Sequence, residues 1–295
     1  MPGNMMLLVN PNAGRGGYRS HLADVLDIFC ADGWLPSVYY TRRPGHAAEL
    51  VREHAGRYDL TVCLGGDGTL SEVLGGMMRA GNPCPIGYIP LGTANDMART
   101  LGLSGKPAEA ARQIMRGARF PVDAGLFAGQ HYFSYISAFG AFTEVSYATA
   151  QELKQSLGQI AYMLEGIRSL PRITPHHAIV EYDDGVVVGD FIFGAVTNST
   201  SVAGLVKLPS RDVNLSDGKF EVILVKNPQD VLDLTDIIND VLSGNFTGRN
   251  VLFLRSREVR FFFNEPVAWT RDGEDGGVWQ DVLISNCHPG VELIV

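Results

Sequence analysis

The sequence predicts an α/β domain followed by a mostly β domain, and three features of the chain carry that prediction. Over the first 125 residues, short apolar runs alternate with segments whose apolar residues recur at helical spacing. After Asp123 this alternation stops, and from His177 onward strand-like runs dominate. A chain of 295 residues can bury one large core, but two modest domains suit that length better. The boundary is expected near residue 125, giving domains over 1–125 and 126–285, with residues 286–295 able to pack back on the first.

Residues 5–9 form an apolar run ending in the turn-rich loop Asn10-Pro11-Asn12-Ala13-Gly14-Arg15-Gly16-Gly17. Leu22, Val25, Leu26 and Phe29 then fall at i, i+3, i+4 and i+7, which predicts a helix. Residues 38–40 read as a second strand, Ala47, Leu50, Val51 and Ala55 as a second helical stripe, and residues 60–64 as a third strand. Such alternation is the signature of a parallel sheet with helices on its faces. In the second domain a helix is expected over 143–170, kinked near Gly158 and stopped by Pro171. Residues 178–182 and 186–196 flank Asp183-Asp184-Gly185, a hairpin signal. Strands are expected at 220–225, 251–254, 259–263 and 267–270. One helix interrupts them, with Val231, Leu234, Ile237, Ile238, Val241 and Leu242 on one face.

Composition narrows the function. Hydrophobic residues at 45% and charged residues at 19% are ordinary for a globular protein. A net charge of −8 speaks against a nucleic-acid partner, since no basic stripe is present to displace phosphate counterions. Arg168, Arg172, Arg255, Arg257 and Arg260 read as solvated surface charge. No apolar stretch approaches the ~18 residues of a spanning helix, and Met-Pro-Gly-Asn does not start like a signal peptide. Cys30, Cys63, Cys84 and Cys287 are scattered without metal-like spacing, as expected of free thiols in the cytoplasm.

The strongest chemical signal is Gly65-Gly66-Asp67-Gly68-Thr69-Leu70-Ser71-Glu72, which leaves a strand and enters a helix. Ligands of open α/β sheets bind beyond the carboxyl ends of strands. Glycines there let backbone amides approach phosphate oxygens, and the helix N-terminus adds a positive dipole. Asp67 would repel a phosphate, so it calls for an intervening Mg²⁺ or a hydroxyl partner. Pro90-Leu91-Gly92-Thr93-Ala94-Asn95-Asp96-Met97-Ala98-Arg99 repeats the arrangement after another short strand. Thr93 or Asn95 suits a helix cap, and Arg99 suits Asp96 or a phosphate as counter-charge. Read from the residues alone, this is a nucleotide or phosphate site bearing acids, with its acceptor unidentified.

With those motifs in place, the chain resembles the catalytic domain shared by diacylglycerol, sphingosine and ceramide kinases, the soluble bacterial diacylglycerol kinases in particular. The resemblance is carried by GGDGT and PLGTANDMAR, by Asn10-Pro11-Asn12-Ala13-Gly14, by Thr41 with Gly45-His46-Ala47, and by Val122-Asp123-Ala124-Gly125. Leu157-Gly158-Gln159-Ile160-Ala161-Tyr162, Leu215-Ser216-Asp217-Gly218-Lys219-Phe220 and Asp272-Gly273-Glu274 extend it through the second domain. The resemblance implies a Rossmann-like, NAD-kinase-like parallel sheet, a β-sandwich second domain that binds lipid, and ATP and Mg²⁺ as cofactors. It implies that Asn10, Pro11, Asn12, Ala13, Gly14, Thr41, the stretch Gly66 to Glu72, and Thr93 contact ATP. Arg15, Gly65, Asn95 and Arg99 are added from their place beside those loops. Asp67, Asp96 and Asp123 would form an acidic network around the catalytic Mg²⁺, and Glu274 would be the general base. A structural Mg²⁺ in the second domain would be held by Asn214, Asp217 and the Lys219 carbonyl. Asn214 departs from an acid common there, which weakens the site. Gln159 departs from a basic residue, leaving Arg15 as the nearby cation.

Two rival readings share parts of this pattern. An NAD kinase also carries GGDGT and a later Asn-Asp pair, but the full TANDMAR segment and the late DGE turn favour a lipid acceptor. A catalytically dead nucleotide or lipid binder is the other, opposed by the intact Asp67, Asp96 and Glu274. The stripe Leu153, Leu157, Ile160, Leu164, Ile167 and Leu170 suits buried core, so contact with the cytoplasmic membrane face is expected only transiently, to collect lipid. A homodimer is compatible with the family.

Overall fold

The computed structural model describes residues 3–141, 174–202, 206–208, 213–244, 246 and 248–295. The helix expected over 143–170, Gln159, and the Arg168 and Arg172 pair lie outside the described residues.

Four parallel strands, β1 (Asn4–Val9), β2 (Leu35–Tyr40), β3 (Leu60–Gly65) and β4 (Ile86–Pro90), stand in the order β2-β1-β3-β4. Alternate side chains of β1 serve opposite faces, as a pleated strand requires. Met5, Leu7 and Val9 pack with Val25 and Phe29 of α1 (Leu22–Ala31) and with Ala110, Ala111 and Ile114 of α5 (Pro107–Arg116). Met6 and Leu8 pack with Ala47 and Val51 of α2 (His46–His54) and with Leu70, Val73 and Met77 of α3 (Asp67–Ala80). Burial on both faces is why β1 and β3 read as unbroken apolar runs. A short α4 (Asp96–Thr100) follows β4.

The β-rich part comprises β5 (Arg119–Phe127), β6 (His131–Phe133), β7 (Ile136–Gly140), β8 (His176–Tyr182), β9 (Gly185–Thr197), the small pair β10 (Ser201–Val202) and β11 (Val206–Lys207), β12 (Phe220–Lys226), β13 (Val251–Ser256), β14 (Glu258–Arg271) and β15 (Glu274–Ile294). One helix, α6 (Val231–Ser243), lies between β12 and β13, capped by the Asp230 side chain on the Asp233 amide. An aromatic cluster fills this part: Phe139 and Trp269 meet each other and Phe261 and Phe263 edge-on or tilted, with Phe139 and Trp269 ring centres 4.9 Å apart, while Phe261 and Phe263 lie parallel.

Two findings differ from the expected elements. Strands were expected to end at residue 270, yet β15 runs for 21 residues. It pairs with β14, returns along β5, and its Leu293 meets Ile86 of β4. Gly276, Gly277, Pro289 and Gly290 break its pattern; Gly277 has φ +82° and the ladder shifts register between Cys287 and Val291. The second is α5, an amphipathic helix beyond the expected elements, with Pro107 at its first turn.

Candidate active site

The carboxyl ends of β1, β3 and β4 bring three loops together. The Asn10 amide donates to Leu64 O at 3.0 Å, the Leu91 amide to Gly65 O at 2.7 Å, and the Thr41 amide to Val9 O at 3.0 Å. Two glycines make the closest approach: a Cβ on Gly92 would lie 2.7 Å from the Gly66 Cα, so any larger residue would push the loops apart. Asn10 Nδ2 donates to Thr69 Oγ1 at 2.8 Å, tying the first loop to the start of α3. Asn95 sits in the left-handed region at φ +50°, its amide reaching Gly92 O at 2.8 Å.

Asp67, the first residue of α3, spans the gap to α4. Its Oδ2 accepts the Asp96 amide at 3.1 Å and its Oδ1 the Met97 amide at 3.4 Å. Asp96 is fully buried, with Arg99 Nη1 3.5 Å from its Oδ1. Burial first, and the neighbouring Asp96 second, push the Asp67 carboxyl up to about 6, although the two amides pull it down. Two adjacent buried carboxylates, one of them strained toward protonation, are a donor set that a divalent cation would relieve. These residues therefore fit a Mg²⁺.

Glu274 reaches this loop from the other part of the molecule. A Cβ on Gly68 would stand 2.6 Å from Glu274 Oε1, so a larger residue there would displace the end of the Glu274 side chain. The turn that carries Glu274 is rigidly held. Asp272, at φ +48°, is buried, and its carboxylate accepts the Ser134, Tyr135 and Ile136 amides at 2.6, 3.0 and 3.0 Å and the Ser134 hydroxyl at 2.9 Å. Partial burial, then Glu72 and Asp272, raise the Glu274 carboxyl above its ordinary value, and Arg271 opposes this. Glu274 lines a pocket of about 210 Å³ with Gly68, Ser71, Arg79, His131 and Arg271. Gly68→Ala is expected to turn the Glu274 side chain away from this loop, read as a fall in its raised proton affinity by NMR titration; an unmoved titration would show that the loop gives way instead.

The structure distributes the other expected residues differently. Glu72 accepts the Gly45 amide at 2.7 Å and the Ala47 amide at 3.0 Å, so it caps α2 with both oxygens and positions the Thr41–Gly45 segment. The Leu70 side chain is fully buried in the core, leaving only its backbone to face a ligand. Asp67 and Asp96 adjoin, and Asp123 on β5 has partners of its own: its Oδ1 pairs with His288 Nδ1 at 2.7 Å and its Oδ2 accepts the Gly218 amide at 2.7 Å. Asn214, Asp217 and Lys219 share one turn, with the Asn214 amide oxygen accepting the Ser216 amide and Asp217 Oδ1 accepting the Lys219 amide. Among the described residues no cluster of three His, Cys, Asp or Glu is placed to hold a metal. His288, Arg79, His131 and Arg271 were not expected at all. His288 lies 165 residues from its partner Asp123, and nothing local marks it.

Comparison with known proteins agrees on one family. Residues 4–127 match the diacylglycerol kinase catalytic domain, and residues 138–294 match the domain described as the YegS C-terminal NAD kinase beta sandwich-like domain. A diacylglycerol kinase of Bacillus subtilis is 34% identical over 92% of this chain and 90% of its own length. One from Staphylococcus epidermidis is 32% identical over 92% and 85%. A crystal structure from Bacillus anthracis, provisionally assigned as a diacylglycerol kinase, superposes with a TM-score of 0.83 at 26% identity, covering all of this chain and 98% of its own.

Proposed function

The chain belongs to the diacylglycerol kinase family and is a lipid kinase; from that premise we propose that it moves the γ-phosphate of ATP, with Mg²⁺, onto the hydroxyl of diacylglycerol or a closely related lipid. Phosphatidic acid is the product in the first case. The observation that carries this reading is the Glu274 carboxylate lying on Gly68, against the loop best suited to phosphate. In the proposal, residues 1–125 form a Rossmann-like, NAD-kinase-like nucleotide domain, and residues 126–285 present the lipid.

Nucleotide phosphates would lie along the backbone amides of the Asn10 to Gly14, Gly66 to Ser71 and Thr93 loops, beside Thr41. Asp67 and Asp96 would hold the Mg²⁺, directly or through water; when bound, it supplies positive charge to the transferring phosphoryl group, where most of the catalysis lies. Glu274 accepts the proton of the lipid hydroxyl as that oxygen bonds to phosphorus and the bond to the departing ADP oxygen breaks. Its raised affinity for a proton suits that task, because a base too acidic would not hold the proton. Asp123, held by His288 and Gly218, supports the network through the 214–219 turn. No helix among the described residues is long and apolar enough to cross a membrane. We place the encounter with lipid at the cytoplasmic membrane face.

The experiment offers γ-labelled ATP and Mg²⁺ with diacylglycerol in mixed micelles and, separately, with NAD. Label in phosphatidic acid is the expected result. Label in NADP alone would assign the chain to dinucleotide phosphorylation, and label in neither would point to another lipid acceptor or to a binding protein.

A further inference from the structure

The second-domain metal implied by the resemblance does not fit the residues that stand there, and the misfit has a built-in cause. Mg²⁺ takes near-octahedral oxygen ligands and prefers carboxylates. The turn offers one carboxylate, Asp217, with the neutral Asn214 where a second acid would stand. Asp217 is also taken: Arg255 Nη2 bonds its Oδ2, while the Lys219 amide occupies Oδ1 at 3.1 Å. The guanidinium is not there by chance of a surface rotamer. Arg255 lies directly across from Glu221 in the β12–β13 ladder, and its Nε donates to Glu221 Oε1 at 3.3 Å. Glu221 is fully buried, so withdrawing Arg255 to admit a metal would take from a buried acid its guanidinium partner.

We infer that Arg255 serves in this chain as an internal, covalently supplied cation in place of a divalent metal, pinning the 214–219 turn to the β12–β13 ladder. One guanidinium reaches one oxygen of each acid, leaving Glu221 Oε2 buried without a partner, and a planar fork of five donors suits such bridging better than an ammonium would. The clamp bears on the site. Through the same turn the Gly218 amide holds Asp123 Oδ2 at 2.7 Å, the Asp123 amide donates to Leu215 O at 2.7 Å, and Asn198 Nδ2 bonds both Asp123 O and Leu215 O. Arg255 is thus a positioning residue for Asp123, acting through Asp217, and the second domain is metal-independent.

Thermal melts of the full chain without nucleotide, in excess EDTA and in excess Mg²⁺, test this independently of phosphoryl transfer. Any rise of the wild-type midpoint with Mg²⁺ is expected to come from the Asp67–Asp96 site, and so to vanish in Asp67→Asn and survive in Asp217→Asn. Arg255→Met is expected to lower the midpoint by about 4 °C or more in both media. The double variant Arg255→Met/Asn214→Asp, which removes the guanidinium and supplies a second acid, is expected to regain most of the loss only when Mg²⁺ is added. A Mg²⁺-dependent rise in wild type that persists in Asp67→Asn but vanishes in Asp217→Asn would put a metal on the turn and overturn the inference. So would an Arg255→Met protein as stable as wild type. Should Arg255→Met fail to fold, the comparison of wild type with Asp67→Asn and Asp217→Asn still decides.

Discussion

Glu274→Gln is expected to lower kcat by roughly 1,000-fold while leaving Mg²⁺-ATP affinity as it is in wild type. Glutamine keeps the length that fills the space over Gly68, where a Cβ would lie only 2.6 Å from the Glu274 oxygen, so the loop geometry should survive. What is lost is the ability to take a proton. The pH profile separates this from mere disturbance. Wild-type turnover should fall with decreasing pH as the Glu274 carboxyl, which burial and its acidic neighbours hold above the ordinary range, becomes protonated. That limb should be absent from the residual activity of the variant. Unchanged turnover, with the same acid limb, would remove Glu274 as the base.

Asp67→Asn is expected to weaken Mg²⁺-ATP binding and turnover together, by about 100-fold or more in kcat/KM, because the residue joins the α3 and α4 N-termini as well as facing the cation. It carries a stability signature too. The folded carboxyl titrates at about 6, above its ordinary value of 3.8. Between those values the folded state holds a proton that the unfolded chain has released, so raising the pH through about 4 to 6 removes stability. Without metal, the loss reaches roughly 3 kcal/mol. Asn does not titrate, so the stability of the variant relative to wild type should rise across that window and level off above it. Equilibrium unfolding at a series of pH values in EDTA measures this, and a flat difference would mean that Asp67 is less strained than its surroundings require.

Much of the first domain was legible in the sequence because burial on both faces writes itself as unbroken apolar runs at β1 and β3, and because the loops between them need glycine. Gly66 and Gly68 each lie against a particular neighbour, Gly92 and Glu274, and a sequence shows the glycine without the neighbour. Glu72 was legible as an acid beside the loop, but its task, capping α2 from 25 and 27 residues away, is decided by packing. The same holds for Asp123, whose partner His288 arrives on β15. That strand was itself hidden, because three register shifts along its ladders and the glycines at 276, 277 and 290 interrupt its alternation. Arg255 looked like ordinary surface charge. Only the ladder that sets it opposite the buried Glu221 and under Asp217 distinguishes it from Arg257 and Arg260.

The central claim is that the DGE turn and the glycine loop form one centre that delivers phosphate to a lipid hydroxyl. A single-turnover quench tests it most directly: wild-type protein loaded with γ-labelled ATP and Mg²⁺ is mixed either with diacylglycerol micelles or with lipid-free micelles. The account predicts label in phosphatidic acid from the first and intact ATP from the second. Release of labelled inorganic phosphate at the same rate in both would contradict it, showing that Glu274 activates water and that the lipid is not the acceptor.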